Sequence, residues 1–224
     1  MWVNIFKFPL VVLIAVTCVG FGTISFITAK NALYSNMGKT LPEISIQAGA
    51  TIESNINGEF KKLEAIATRS DISDPGVSVK NKEEVLASEA ERLGANNLDY
   101  VDASGKLIKP DGTTIDLTKN ECVQSSLAGK NHVTDPFIRK GDSILSVMYS
   151  VPIKHDGKVV GVLLESRDGN ALSEYTDKVK FGKTGRAFMI NKDGVIIADN
   201  YRKQVISMHR ILERLLQEVN KFKL

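Results

Sequence analysis

The chain has 224 residues, 43% of them apolar, enough to pack the core of one ordinary domain with extra elements, so disorder is excluded as the default. Its 29 basic and 26 acidic residues are interspersed and leave a net charge of only +3, which excludes the concentrated field of a nucleic-acid-binding protein. Cys18 stands inside an N-terminal apolar run and Cys122 far beyond it, so no intramolecular disulfide is expected if that run lies in a membrane.

Residues 8–28 carry no charge and are bracketed by Lys7 and Lys30. Such a run crosses a hydrocarbon layer of ~30 Å at ~1.5 Å per residue. An uncleaved membrane anchor over 1–30 fits better than a signal peptide cut at Ala29, because the apolar part is longer than a signal peptide's. Cys18 reads as an apolar membrane residue, since Val16 and Thr17 do not form a lipobox. Lys7, Lys30 and Lys39 do not fix the orientation between them.

Over 31–70 the apolar residues Leu33, Met37, Leu41, Ile44, Ala48, Ile52, Ile56, Phe60, Leu63 and Ile66 recur every three or four positions, one stripe along a long stalk helix that Pro42 is expected to kink. The stripe serves equally to pack the helix on a sheet or to pair it with a second copy in a homodimer. Pro75 and Gly76 break that helix, and 81–93 reads as another, with Val85, Leu86, Ala90 and Leu93 inward and its glutamates solvated.

Residues 97–108 read as strand, turn and strand, and 188–197 repeat that layout about 90 positions later. Between them, 143–153 and 158–166 are β-rich and joined by a turn at His155, Asp156 and Gly157. Leu145, Val147, Tyr149, Val151 and Ile153 share one strand face. The pattern predicts an α+β fold: a transmembrane helix, the long stalk helix, and a PAS-like antiparallel sheet laid on it. A connecting helix is expected at 171–179, and a last helix after Asn200 carries Ile211, Leu212, Leu215, Leu216 and Val219. Having no visible sheet to cover it, that helix is expected to be mobile over 206–224.

No reaction chemistry is expected. The Gly182, Lys183, Thr184 triplet lacks the glycine a phosphate loop needs, since Asp177 stands there, and a strand follows it instead of a helix. His132, His155 and His209 have no metal-ligand spacing. Cys122, with no histidine partner, reads as a buried or half-buried thiol. No metal, cofactor or catalytic residue is assigned.

Seven segments in order carry a family resemblance: KTLPEIS at 39–45, SDP at 73–75, YVDASGKL at 100–107, TDP at 134–136, VPIKHDGKVVGVL at 151–163, RDGNALS at 167–173 and FGKTGRAFMINKDGVIIAD at 181–199. With them the chain resembles the double Cache sensor of a methyl-accepting chemotaxis protein. The resemblance implies an extracytoplasmic small-molecule sensor on a single-pass membrane anchor, with 71–180 as the membrane-distal Cache module and 181–224 as the start of the membrane-proximal one. The alternatives are the sensor of a diguanylate cyclase or histidine kinase, or a membrane-tethered binding protein with no output, since no second membrane helix or coiled coil follows Leu224.

The resemblance also implies a ligand pocket at Lys119, Asn120, Cys122, Asp135, Phe137, Tyr149 and Ser166. Amino-acid-binding members carry an Arg, Trp, Tyr cluster, a later Tyr and an Asp; here those positions hold Asn120, Cys122, Val123, Phe137 and Ser166. A ligand carboxylate would lose charge-assisted bonds worth about 1.5–3 kcal/mol each. The expected partner is therefore a small molecule other than a free amino acid bound in that mode.

Overall fold

The computed structural model describes residues 3–109, 111–139, 144–179 and 185–199. The chain divides into two compact units, Met1–Glu53 and Ser54–Leu224. The first consists of the N-terminal part of α1 (Val3–Ala67). The expected membrane and stalk helices are one element, and α1 runs through Pro42 without a break. Residues Val12–Ala67 include a stretch long and apolar enough to cross a membrane, none of it buried.

The second unit is α+β. After a short helix α2 (Ser70–Ser73) comes α3 (Val79–Leu93), which starts two residues before the predicted 81–93. Ser78 caps it by accepting from the Asn81 N–H at 3.2 Å, and Gly94 ends it in the left-handed region at φ 66°. The strands are β1 (Asn97–Asp102), β2 (Lys106–Ile108), β3 (Thr114–Asp116), β4 (His132–Val133), β5 (Phe137–Ile138), β6 (Leu145–His155) and β7 (Lys158–Asp168). They form one antiparallel sheet in the order β3-β2-β1-β7-β6-β4, with β5 also on β6. The Asp156-Gly157 turn between β6 and β7 holds both residues at positive φ, 49° and 76°, as a two-residue hairpin loop demands. Helix α4 (Glu121–Leu127) lies between β3 and β4. A 3₁₀ turn (Gly169–Leu172) and α5 (Ser173–Lys178) fall at the predicted connecting helix, and β8 (Phe188–Ile190) pairs with β9 (Ile196–Asp199) as the predicted second hairpin. The predicted last helix, its expected mobility, and the 181–184 part of the glycine-rich junction lie outside the described residues.

Alternation along the strands gives the sheet two different faces. One carries Leu98, Tyr100, Val147, Tyr149, Val151, Ile153 and Leu163 and packs on Leu63, Ile66 and Ala67 of α1, on Ile72, and on Leu86 and Ala90 of α3. This is the main core. The other carries Val101, Val162 and Leu164 under Cys122 and Val123 of α4, with Leu107 beside them. Gly161 sits where β7 crosses β1 so closely that a Cβ would lie 2.7 Å from the Val101 carbonyl oxygen.

Candidate functional site on the second face of the sheet

The apolar patch under α4 covers only part of the second face. Strand register fixes the rest: Asn97 opposes Ser166, Asp99 opposes Leu164, Met148 opposes Ser166, and Phe137 opposes Ser146. Opposed residues share a face, so Asn97, Asp99, Ser166 and Ser146 form a polar continuation of the patch, with the apolar Met148 and Phe137 on the same side. Ser166 is only 4% exposed, and its Oγ has no hydrogen-bond partner among the described residues. A buried hydroxyl so placed costs about 1–3 kcal/mol until something bonds to it.

Charge of both signs reaches this region. Burial raises the Asp99 carboxyl above its ordinary range, while the positive charges of Lys109 and Arg139 pull it back. Asp99 and Asn97 also wall a groove of about 450 Å³, with Glu83, Glu91, Asn96 and Lys109 among its other sides. Glu83 accepts the Tyr100 N–H at 2.8 Å, and burial pushes its carboxyl up to about 7.

Four of the seven residues proposed from sequence gather at this face. Asn120 is the N-cap of α4, its Oδ1 accepting from the Val123 N–H at 3.3 Å. Cys122, fully buried, points its Sγ at the Met148 carbonyl at 3.8 Å, and burial pushes the thiol up to about 11. Phe137 and Ser166 complete the four. Lys119 is exposed in the turn before α4. Asp135 is exposed in the β4–β5 loop, where its carboxylate accepts from Asn191 Nδ2 at 2.8 Å; it lines, with Phe137, His132, Glu121 and Lys192, a separate cavity of about 550 Å³. Tyr149 lies on the opposite face, 1% exposed in the main core, edge-on to Phe60 with ring centroids 5.8 Å apart.

The sequence reading missed Asp99, Lys109 and Arg139. The signal for Asp99 was present: Asn97 and Asp99 alternate with Leu98 and Tyr100, which marks a polar face opposite an apolar one. Behind Ser166, the next residue Arg167 turns to the first face. There its guanidinium meets Glu165 at 2.7 Å and Glu59 of α1 at 2.8 Å. Among the described residues, no group of three or more His, Cys, Asp or Glu is placed to hold a metal ion.

A family model described as the Cache domain (dCache_1) matches residues 29–221. No curated protein matches the chain as a relative. Among solved structures, the chain is similar to the sensory domain of the Campylobacter jejuni chemoreceptor Tlp3 with isoleucine bound, at 19% identity and a TM-score of 0.62, over 79% of this chain and 76% of that one. It is similar to the ligand-binding domain of the Pseudomonas aeruginosa amino-acid chemoreceptor PctC in complex with GABA, at 22% identity and a TM-score of 0.57, over 72% and 75%. A third is the ligand-binding domain of the Pseudomonas fluorescens chemoreceptor CtaA in complex with L-isoleucine, at 20% identity and a TM-score of 0.61, over 76% and 71%. At these identities the likeness is one of fold.

These neighbours overturn the expectation of a partner other than a free amino acid, since the solved domains that share the fold hold isoleucine and GABA. The physical reason lies in the positions on which that expectation rested. Cys122 and Val123 are wholly buried under α4, so their lack of charge reflects packing, and Asp99 of β1 puts a carboxyl on this face that feels the positive charges of Lys109 and Arg139.

Proposed function

The chain belongs to the Cache domain family, and from that premise we propose that it is the extracytoplasmic sensor of a methyl-accepting chemotaxis receptor whose ligand is a free amino acid held on the second face of the sheet. In this reading residues 1–30 anchor the chain, 31–70 form the stalk, 71–180 hold the ligand, and 181–224 belong to the membrane-proximal module. The site draws on Asn120, Phe137 and Ser166, beside Asp99, with Cys122 packed beneath α4.

One observation carries it: the Ser166 hydroxyl is buried without a partner among the described residues, on a sheet face whose Asp99 carboxyl feels nearby positive charge. A packed core leaves such a group unpaired only at a cost, and a bound zwitterion relieves that cost while matching the charges. The solved amino-acid-bound domains of the same fold support the ligand class. The alternation of β7 supports a route for the signal. Ser166 meets the ligand on one face, and Arg167, its neighbour, grips Glu59 of α1 on the other. Occupancy then biases how the sheet packs on α1, a population shift with no bond made or broken.

The test is a melting-temperature screen of the full chain in detergent against the free amino acids and GABA. A true ligand raises the melting temperature with concentration, because binding to the native state alone adds about 2.7 kcal/mol at a hundredfold excess over Kd. A flat response to every amino acid contradicts the reading.

A further inference from the structure

We infer that the groove between α3 and β1 is a second binding site, which takes an extended peptide with a basic side chain and pairs it with the open edge of β1. The inference goes beyond the amino-acid reading and does not rest on it. β1 has six residues and β2 three, and the two strands pair at Val101 and Leu107. β2 stops short because Lys109 turns its N–H to the Thr113 carbonyl at 2.9 Å and so leaves the line along β1. Residues 97–100 therefore have β7 on one side and, among the described residues, no strand on the other.

Alternation fixes which backbone groups face that open side. The Tyr100 N–H points away from β7, since Glu83 of α3 takes it at 2.8 Å. Groups two residues apart on a strand point the same way, so the N–H and C=O of Leu98 also turn to the groove, which Leu98 lines. Glu83 does for Tyr100 what the carbonyl of a neighbouring strand does elsewhere. Leu98 has no such substitute among the described residues. An N–H and C=O pair left open on a strand edge is a template for an added strand.

The groove has a volume of about 450 Å³, and the small side chains of Ala87 and Ala90 on α3 let a backbone come close. Its charge names the occupant. Glu83, Glu91 and Asp99 wall it, against Lys109 as the one basic residue of the lining. Burial pushes the Glu83 carboxyl up to about 7, and the negative charge of Asp99 adds to the push, so a cation entering the groove relieves both. A second copy pairing through its own β1 would bring the same carboxyls face to face, so the groove favours a basic peptide over self-association.

The experiment is calorimetric titration of the full chain in phosphatidylcholine nanodiscs with acetyl-Val-Lys-Val-amide, acetyl-Val-Glu-Val-amide, and the lysine peptide methylated on the lysine backbone nitrogen. In register with Leu98, the central side chain faces α3. The lysine peptide is expected to bind about 10-fold or more tighter than the glutamate peptide, and backbone methylation to weaken it about 3- to 10-fold, the loss of one hydrogen bond. Its binding should slow exchange of the Leu98 N–H. Ala87→Trp, which fills the groove, and Glu91→Lys, which reverses a charge at its rim, are both at exposed positions and should each weaken the lysine peptide about 10-fold without lowering the melting temperature. If Ala87→Trp does not melt cooperatively, Glu91→Lys carries the test. No binding of the lysine peptide, equal binding of the three peptides, or slowed exchange confined to 121–127 overturns the inference. Titrations with L-isoleucine and GABA judge the amino-acid reading separately: a chain that binds the lysine peptide and neither amino acid upholds the groove and overturns that reading alone.

Discussion

Asn191 Nδ2 donates to Asp135 Oδ2 at 2.8 Å, joining the turn of the β8–β9 hairpin to the β4–β5 loop. The same side chain holds its own turn, Oδ1 accepting from the Asp193 and Val195 N–H groups at 3.0 and 2.9 Å. Asp135 in turn follows Thr134, which is clamped to β6 in both directions: its N–H donates to the Met148 carbonyl at 2.9 Å and its Oγ1 accepts the Met148 N–H at 3.0 Å. Met148 is a neighbour of Ser166 on the candidate face. The hairpin is therefore two short links from the site.

That linkage predicts a coupling. Asn191→Ala, which loses three bonds, is expected to cost about 2 kcal/mol, and Asp135→Ala about 0.5–1 kcal/mol, with a pair term of about 0.5–1 kcal/mol in a double-mutant cycle. Urea unfolding of the four chains measures it. Strict additivity would mean that the hydrogen bond carries no energy in solution.

Arg167 is predicted to be the most sensitive charged residue. It lies between Glu59 and Glu165, and Glu165 Oε2 has no hydrogen-bond partner among the described residues even with the arginine present. Arg167→Met leaves two carboxylates facing each other in the core and is expected to cost about 3–5 kcal/mol at pH 7. Burial already raises the Glu165 carboxyl, so part of the loss should return as the pH is lowered and that group protonates. Glu59→Gln keeps Arg167 on Glu165 and should cost about 1 kcal/mol. Equal losses from the two variants would contradict the burial argument.

Glu83 gives the fold a defined pH dependence. Its folded value of about 7 lies above the ordinary 4.5, so between those values the folded chain holds a proton that the unfolded chain has released. Its contribution to stability is thus complete below about 4.5 and declines as pH rises through 7. Glu83→Gln still offers an oxygen to the Tyr100 N–H and removes the titration. The variant should match the wild type at pH 5 and melt above it at pH 8. A constant difference across that range, read by calorimetry, would count against the buried placement of Glu83.

Cys122 should be chemically silent in the folded chain. The thiol is fully buried and pushed up to about 11 by that burial, so at pH 8 it is neither reachable nor ionised. Peptide mass analysis after brief treatment with N-ethylmaleimide should find Cys122 modified only in denaturant. Rapid native labelling would mean that α4 lifts off the sheet.

The long strands were legible because their apolar residues run with period two and end at turn signals such as Asp156-Gly157, and α3 because Ser78 and Gly94 bound an apolar stripe. Helix α4 and strands β3, β4 and β5 were not, being two to seven residues long, below the length at which a period declares itself. The sequence could place some of the proposed residues on a common face but not all. Asn120, Cys122, Phe137 and Ser166 do meet at one face, but Tyr149 shares its side of β6 with Val147 and Val151 and so belongs to the core against α1. Asp99 was overlooked because its strand was read for its apolar residues, although the alternate positions Asn97 and Asp99 already pointed to a polar face.

The central claim is that a free amino acid binds on the sheet face shared by β1, β7 and the start of α4. Amide hydrogen exchange of the full chain in nanodiscs, with and without saturating L-isoleucine or GABA, tests it most directly. The account predicts slowed exchange over 97–102, 121–127 and 162–168 with at least one of the two ligands. Unchanged exchange with both, or slowing confined to the β8–β9 hairpin, would contradict it.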